Sequence, residues 1–146
     1  MTLEVAMGKV KQVHTFWDEY QESVAPKIAD IDVYLKSAEH PFDIGCVADL
    51  LELDEAEIYA ILRDAGVKSI DKNIFLYIMT TGSSFLCGLY RREVELNSPP
   101  TYTANDLAYI YNLDILAVNN ACQTLQINEV TSFTMPLIFA NIPWRN

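Results

Sequence analysis

Metal-ligand and disulfide spacing is absent from this sequence. The three cysteines, Cys46, Cys87 and Cys122, are an odd number and lie far apart among apolar neighbours. None belongs to a Cys-x-x-Cys pair or has a histidine at ligand spacing, and His14 and His40 are the two histidines of the chain. We therefore predict no metal site, and we interpret the cysteines as reduced core thiols that behave as small hydrophobic side chains.

Motifs that carry catalysis or phosphate binding are also missing. The sequence has no glycine-rich phosphate loop, and the serines and glycine of residues 82–84 lack the spacing of a nucleophile elbow. Cys87 has no histidine that the sequence assigns to it as a base. The adjacent acids Asp54 and Glu55 are typical of helix caps and solvated helix faces rather than of a catalytic acid and its base. We predict no catalytic residues, no cofactor and no enzymatic activity.

Long hydrophobic runs do not occur. No apolar stretch approaches the roughly 20 residues that a helix needs to cross a bilayer. The N-terminal residues, MTLEVAMGKVKQV, lack the basic start and the continuous apolar block of a secretion signal. We therefore predict a cytoplasmic protein with no membrane segment. A chain of 146 residues with 51% apolar residues can bury a core without disulfides or metal.

Positive charge is scarce. The chain has 10 Lys and Arg against 20 Asp and Glu, so its formal net charge is -10. Such an acidic excess opposes approach to phosphate backbones and to anionic lipid. The composition therefore argues against nucleic acid as a partner.

What the sequence does contain is apolar residues at helical spacing, which predict an all-α protein. In the N-terminal part an apolar stripe indicates a long helix from Thr2 to about Ser23. Thr2 is its predicted cap, and Pro26 is predicted to end it or to follow its end closely. A short second helix is predicted over residues 29–38.

A pattern of two short helices joined by a tight turn occurs twice, at an offset of sixty residues. The first copy covers Phe42 to Gly66 and the second covers Tyr102 to Gln126. Asp54 is predicted to cap the second helix of the first copy, with Glu57 as its capping-box partner. Identical residues at this offset include the following pairs: Ala48 and Ala108, Leu53 and Leu113, Asp54 and Asp114, Ile78 and Ile138. Matching turns, caps and alanines at one register predict an internal duplication.

The duplication divides the chain into four segments of one compact domain. They are an N-terminal helical segment, 1–41; a first unit, 42–82; a linker helix, 83–100; and a second unit, 101–146. Each unit is predicted to add a third helix to its helix pair. Pro136 falls inside the last helix and is predicted to kink or shorten it. The predicted fold is therefore all-α, with duplicated three-helix units, a long N-terminal helix and a linker helix.

The string VADLLELDEAEIYAILRDAG, residues 47–66, resembles the helix-turn-helix family. In that pattern a small residue, here Ala48, lets the two helices cross closely, and apolar residues at Leu53 and Ile58 lock the crossing. The second copy has Ala108, Leu113 and Val118 at the corresponding positions. The resemblance implies tandem, degenerate helix-turn-helix-like units whose second helix reads DNA. The turn in that family often uses glycine, which Asn112 imitates and Glu52 does not.

The second helices offer little chemistry for reading DNA. The first has several carboxylates and one cation, Arg63, and the second has no cation. Asn119, Asn120 and Gln123 carry amides suited to adenine edges, yet a DNA binder also neutralises phosphates with Lys or Arg. A DNA-binding transcriptional regulator is therefore the alternative function. Its basic surface would form elsewhere, from Lys9, Lys11, Lys68, Lys72, Arg91 and Arg92.

The first helix of the second copy is apolar or aromatic nearly all round. Because a surface helix of a small monomer has a polar side, this helix is either central to the domain or part of an interface. The candidate interface residues are Tyr109, Tyr111, Ile115 and Leu116. We predict a non-enzymatic interaction or regulatory protein that binds a protein partner or a second copy of itself. A small-molecule sensor would require a pocket between the two units.

Overall fold

The computed structural model describes residues 14–97 and 99–144, and their regular secondary structure is helical. This confirms the all-α prediction. No helix in these ranges is both long and apolar enough to cross a membrane. Pairing of β type is confined there to three isolated bridges, which join Thr15 to Pro143, Phe42 to Ile70, and Tyr102 to Val130.

The N-terminal helical segment has different boundaries from those predicted. Thr15 is extended and caps α1, Phe16–Glu19, through a capping box with Asp18. A helix running unbroken from Thr2 to Ser23 is therefore wrong, and Thr2 itself lies outside the described residues.

Pro26 does not end a helix. The chain passes from α1 through a π-helical turn, π1, Tyr20–Val24, into α2, Ala25–Ser37. Pro26 lies in the first turn of α2, where a missing N–H is tolerated because first-turn amides have no partner within the helix. The prediction that Pro26 stops a helix or closely follows its end is wrong for this reason.

The rest of the described chain forms two groups of three helices with one helix between them. In chain order these are α3, Ile44–Leu51; α4, Glu55–Ala65; α5, Lys72–Thr81; α6, Phe85–Glu95; α7, Ala104–Tyr111; α8, Ile115–Leu125; and α9, Met135–Phe139. We call 42–82 the first unit and 101–146 the second unit, as in the sequence. Ser84 caps the linker helix α6, because its Oγ accepts a hydrogen bond from the Cys87 amide at 3.2 Å.

Backbone geometry recurs at the offset of sixty residues. The bounds of α3 and α7 correspond, as do those of α4 and α8. Within each helix pair, Glu52 and Asn112 adopt the left-handed conformation, with φ of 59° and 57°. Glu52 thus takes the same conformation as Asn112 although it is a residue that rarely adopts it. The amide that follows each donates to the carbonyl of Ala48 or Ala108, at 3.0 and 2.9 Å.

The ends of the helix pairs correspond as well. Gly66, at φ 75°, and Gln126, at φ 57°, end α4 and α8 in the left-handed conformation. The Phe42 amide then donates to the Ile70 carbonyl, and the Tyr102 amide donates to the Val130 carbonyl, both at 2.8 Å. The Val130 amide also donates to the Tyr102 carbonyl at 2.8 Å, so each helix pair is closed by hydrogen bonding between the residues that flank it.

The predicted capping box of α4 is wrong. Asp54 occupies the N-cap position, but its side chain makes no capping hydrogen bond. The Glu57 carboxylate instead accepts from the amide and the hydroxyl of Ser83, each at 2.8 Å. Ala117 and Pro143 stand at the equivalent places of the second unit and offer no such link. Glu57 therefore joins α4 to the loop before α6.

The third helices differ between the units. Asp71 caps α5, with its side chain accepting a hydrogen bond from the Ile74 amide at 2.8 Å. In the second unit α9 covers only five residues, with Pro136 in its first turn. The prediction that Pro136 shortens the last helix is confirmed, because proline has no N–H to extend a helix backwards.

Buried side chains form two clusters, each centred on one unit and completed by residues of the N-terminal segment and of α6. The first includes Val47, Ile58, Phe75 and Ile78, and the second includes Phe16, Ile110, Val118 and Phe139. Helix α6 belongs to both, because Leu86 and Cys87 lie in the first cluster and Leu89 lies in the second. The linker helix therefore contributes buried side chains to both clusters and does more than connect the two units.

Replacing Gln126 with glycine is expected to raise the free energy of unfolding by about 0.5 to 1 kcal/mol, because glycine accepts a positive φ without the penalty of a Cβ. Gly66→Gln is expected to lower it by a similar amount. Urea denaturation measures both changes. Gln123→Gly, within α8, is the matched control and should cost roughly 1 kcal/mol. Equal losses in Gln126→Gly and Gln123→Gly would contradict the left-handed turn.

Candidate functional site

One predicted interface residue, Tyr111, lies in the core. It is 7% exposed, and its ring packs edge-on against Phe16 and Phe139 at centroid distances of 5.9 and 5.0 Å. Burial is the main cause of the raised pKa of its phenol. The side chain is therefore unavailable to a protein partner. For this residue, the alternative holds that its helix is central to the domain.

The other predicted interface residues are more accessible. Tyr109 is 49% exposed, and its hydroxyl donates a short hydrogen bond to the Glu95 carboxylate. That hydrogen bond is the first cause of the raised pKa of Tyr109. Ile115 is half-buried, whereas Leu116 is 67% exposed. Leu116 is therefore the large apolar side chain of this set that solvent reaches most fully.

Two further apolar side chains of the second unit are exposed, and the sequence reasoning missed them. Phe133 is 90% exposed and Leu137 is 52% exposed. They lie before and within α9, which packs against α8, the helix of Leu116. We call Leu116, Phe133 and Leu137 the apolar surface of the second unit. The spacing of four residues between Phe133 and Leu137 was a signal that could have found them.

The residues predicted for DNA reading do not form one site. Asn119, Asn120 and Gln123 are exposed on α8, and Arg63 is exposed on α4 of the other unit. Asn119 and Gln123 line an open groove of about 480 Å³. Arg63 lines a second groove of about 560 Å³, together with Tyr59 and Lys68.

These two grooves occupy equivalent places. Each is bounded by the second helix of its pair and by the residues that follow that helix. The groove of the first unit presents an aromatic ring and two cations, from Tyr59, Arg63 and Lys68. The second unit has Asn119, Gln123 and Asn128 at the corresponding positions. The two units therefore share a backbone shape and present different chemistry on it.

Two of the cations assigned to a basic surface have structural contacts. Arg91 donates from Nη1 to the carbonyls of Thr80 and Gly82, at 3.2 and 3.4 Å, at the end of α5. Arg92 donates from Nε to the carbonyl of Ile110, at 2.9 Å, near the end of α7. Burial is the first cause of the lowered pKa of Arg92. The two arginines therefore hold α6 to both units.

The remaining cations of that set are separate from them. Lys68 and Lys72 are exposed in the first unit, and Lys9 and Lys11 lie outside the described residues. Among other described cations, Lys27 pairs with Glu52 and Lys36 pairs with Asp32. Arg91 and Arg92, two of the cations that the DNA-binding alternative would use, thus have partners within the fold.

A tyrosine links α6 to the start of the second unit. The Tyr102 hydroxyl lies 2.9 and 3.0 Å from the two Glu93 carboxylate oxygens, to which it donates. Burial, and then this carboxylate, raise the pKa of Tyr102 to about 12. The neutral phenol is therefore the form that the folded chain favours, and the link weakens as pH rises from the ordinary tyrosine value toward 12.

The cysteines divide by environment. Cys87 is fully buried, and burial is the main cause of the raised pKa of its thiol. Cys122 is half-buried, but Cys46 is exposed in the first turn of α3, so its assignment to the core is wrong. Across residues 14–97 and 99–144, no three His, Cys, Asp or Glu side chains are grouped so that they could hold a metal ion.

Comparison of the chain with protein-family models, with curated proteins and with solved structures finds no match.

Arg92→Met is expected to lower the free energy of unfolding by about 1.5 to 3 kcal/mol, because it removes a charged donor from a carbonyl at the joint between the units. Arg63→Met, on an exposed face of α4, is the control and should change it by less than about 0.5 kcal/mol. Chemical denaturation followed by circular dichroism measures both. Equal effects of the two substitutions would contradict a structural role for Arg92.

Proposed function

We propose that this chain is a non-enzymatic interaction or regulatory protein built on degenerate helix-turn-helix-like units, and that its partner is a protein or a second copy of itself. The observation that carries the proposal is the apolar surface of the second unit. Leu116, Phe133 and Leu137 are 67%, 90% and 52% exposed. Large exposed apolar side chains carried by two neighbouring segments are typical of surfaces that bind another protein.

The first unit supports the same conclusion by contrast. Ala56 and Asn73 stand at the positions equivalent to Leu116 and Phe133. Both units bury several equivalent core positions, such as Ile58 and Val118, so a large apolar side chain at these two outward positions is not required for folding. Tyr77, equivalent to Leu137, is itself 44% exposed, so the contrast lies at Leu116 and Phe133, and their presence in the second unit favours a role in binding.

The charge distribution on α8 supports a protein partner. No residue of this helix is charged. Depletion of charge distinguishes the cores of protein interfaces from the rest of a protein surface. A surface that binds DNA would instead need several cations.

The duplication is part of the same proposal. The two units are copies of one three-helix element, supported by corresponding helix bounds, by left-handed residues at Glu52, Asn112, Gly66 and Gln126, and by equivalent bridges. Surface residues have diverged between the copies, whereas the core pattern has been kept.

The most direct test is sedimentation of the full chain over a range of concentrations. We expect reversible self-association that Phe133→Ser and Leu116→Ser each weaken by about tenfold or more, as hot-spot residues do. Val33→Ser is the matched control, because Val33 is 61% exposed on α2, outside the apolar surface of the second unit.

A strict monomer at high concentration would remove the self-association form of the proposal. The partner form then requires that a protein copurify with the native chain and be lost from Phe133→Ser but not from Val33→Ser. Failure of both results would overturn the proposal.

The DNA-binding alternative is tested separately by fluorescence anisotropy with duplex DNA at several salt concentrations. We expect no tight binding, because the described cations are few and Arg91 and Arg92 are held by carbonyls. Tight binding that weakens steeply with salt would favour a DNA-binding transcriptional regulator instead.

A further inference from the structure

A pocket of about 310 Å³ lies between the two units. Leu86 of the first hydrophobic cluster and Phe16, Val24 and Tyr111 of the second contribute to its walls. Its volume falls at the lower end of the range of small-molecule sites, about 300 to 1,000 Å³. The pocket is therefore large enough for a compact ligand that contacts both units.

Aromatic rings form much of its apolar wall. Phe16 lies 5.9 Å from Tyr111 and 5.2 Å from Trp144, measured between ring centroids. Phe16 is 1% exposed and Tyr111 is 7% exposed, so packing fixes both rings in the floor of the pocket. Phe85, which is 42% exposed, and the half-buried Trp144 present accessible ring surface to a ligand. Preformed aromatic walls of this kind suit a flat ring, which they contact at little entropic cost.

The polar residues around the pocket are mostly acidic. Glu19 and Glu52 carry carboxylates, and Lys27 carries the one ammonium group of the lining. Lys27 pairs with Glu52, and His14 lies 3.4 Å from the Glu19 carboxylate. Two carboxylates against one ammonium leave the lining net negative, on a chain whose own charge is -10. The local potential therefore favours a positively charged ligand over an anion.

The wall also contains an unusual backbone segment. Ser23 and Val24, both in the pocket lining, belong to the π1 turn. A π turn is rare, and such turns are frequent at functional sites. The π1 turn thus indicates the same pocket as the charges and the rings do, and it does so independently of them.

We propose that this pocket binds a small aromatic amine. The ring lies against Phe85 and Trp144, and the protonated amino group lies at the Glu19 carboxylate, beside the Lys27–Glu52 pair. The ligand contacts elements of both units, so its binding stabilises their arrangement. This site is distinct from the apolar surface of the second unit, and either proposal can hold without the other.

Titration calorimetry of the full chain with phenethylamine tests the inference, and phenylacetate is the matched anion. Phenethylamine is expected to bind, and phenylacetate is expected to bind at least about tenfold more weakly because the lining is acidic. Glu19→Gln and Glu52→Gln should each weaken amine binding about fivefold, whereas Glu129→Gln, an exposed acid outside the lining, should not change it.

Ser23→Phe places a ring in the pocket and should abolish binding of phenethylamine. Absence of amine binding, equal binding of phenylacetate, or unchanged affinity in Ser23→Phe would overturn the proposal. If Ser23→Phe does not fold, the Glu19→Gln, Glu52→Gln double variant decides, and unchanged affinity there has the same consequence. Sedimentation of the apolar-surface variants is unaffected by these results, so the two proposals fail separately.

Discussion

The arrangement of the two units depends on α6, which packs against both and donates hydrogen bonds to both. Arg91 and Arg92 are adjacent, so the helix directs them to different sides, one toward the end of α5 and the other toward the end of α7. Gly88 makes room for Arg92. A Cβ at that position would lie 2.8 Å from Nη1 of Arg92 and 3.4 Å from Nη2 of Arg91. A side chain there would force the Arg92 guanidinium, which donates to the Ile110 carbonyl, to shift, whereas the Arg91 distance is an ordinary van der Waals contact.

This joint allows the units to differ on their outer faces. Each unit closes its own hydrophobic cluster with equivalent buried residues, such as Ile58 and Val118 or Ile78 and Ile138. Outward positions carry no such constraint, and there the second unit has Leu116 and a neutral α8. Burial thus explains what the units share, and solvent exposure explains where their residues are free to differ.

Features that depend on neighbouring residues along the chain could be predicted from the sequence. Gly66 as a left-handed cap, Asp71 and Ser84 as helix caps and Pro136 as a helix shortener all follow from local backbone chemistry. Features set by distant residues could not. The sequence predicts that Glu57 belongs to a capping box, whereas in the folded chain its carboxylate accepts a hydrogen bond from the Ser83 hydroxyl instead. The burial of Tyr111 depends on Phe16 and Phe139, which are far from it in sequence, and the pocket between the units requires both to be in place.

The central claim is that one of two equivalent surfaces has become the interaction site. Amide chemical shifts of the isotope-labelled chain, followed by NMR as its concentration is raised, test this most directly. The account predicts that shifts change around Leu116, Phe133 and Leu137 and stay constant at the equivalent Ala56 and Asn73. Shift changes centred on the first unit would contradict it. Shifts that change neither with concentration nor on addition of a protein partner would contradict it as well.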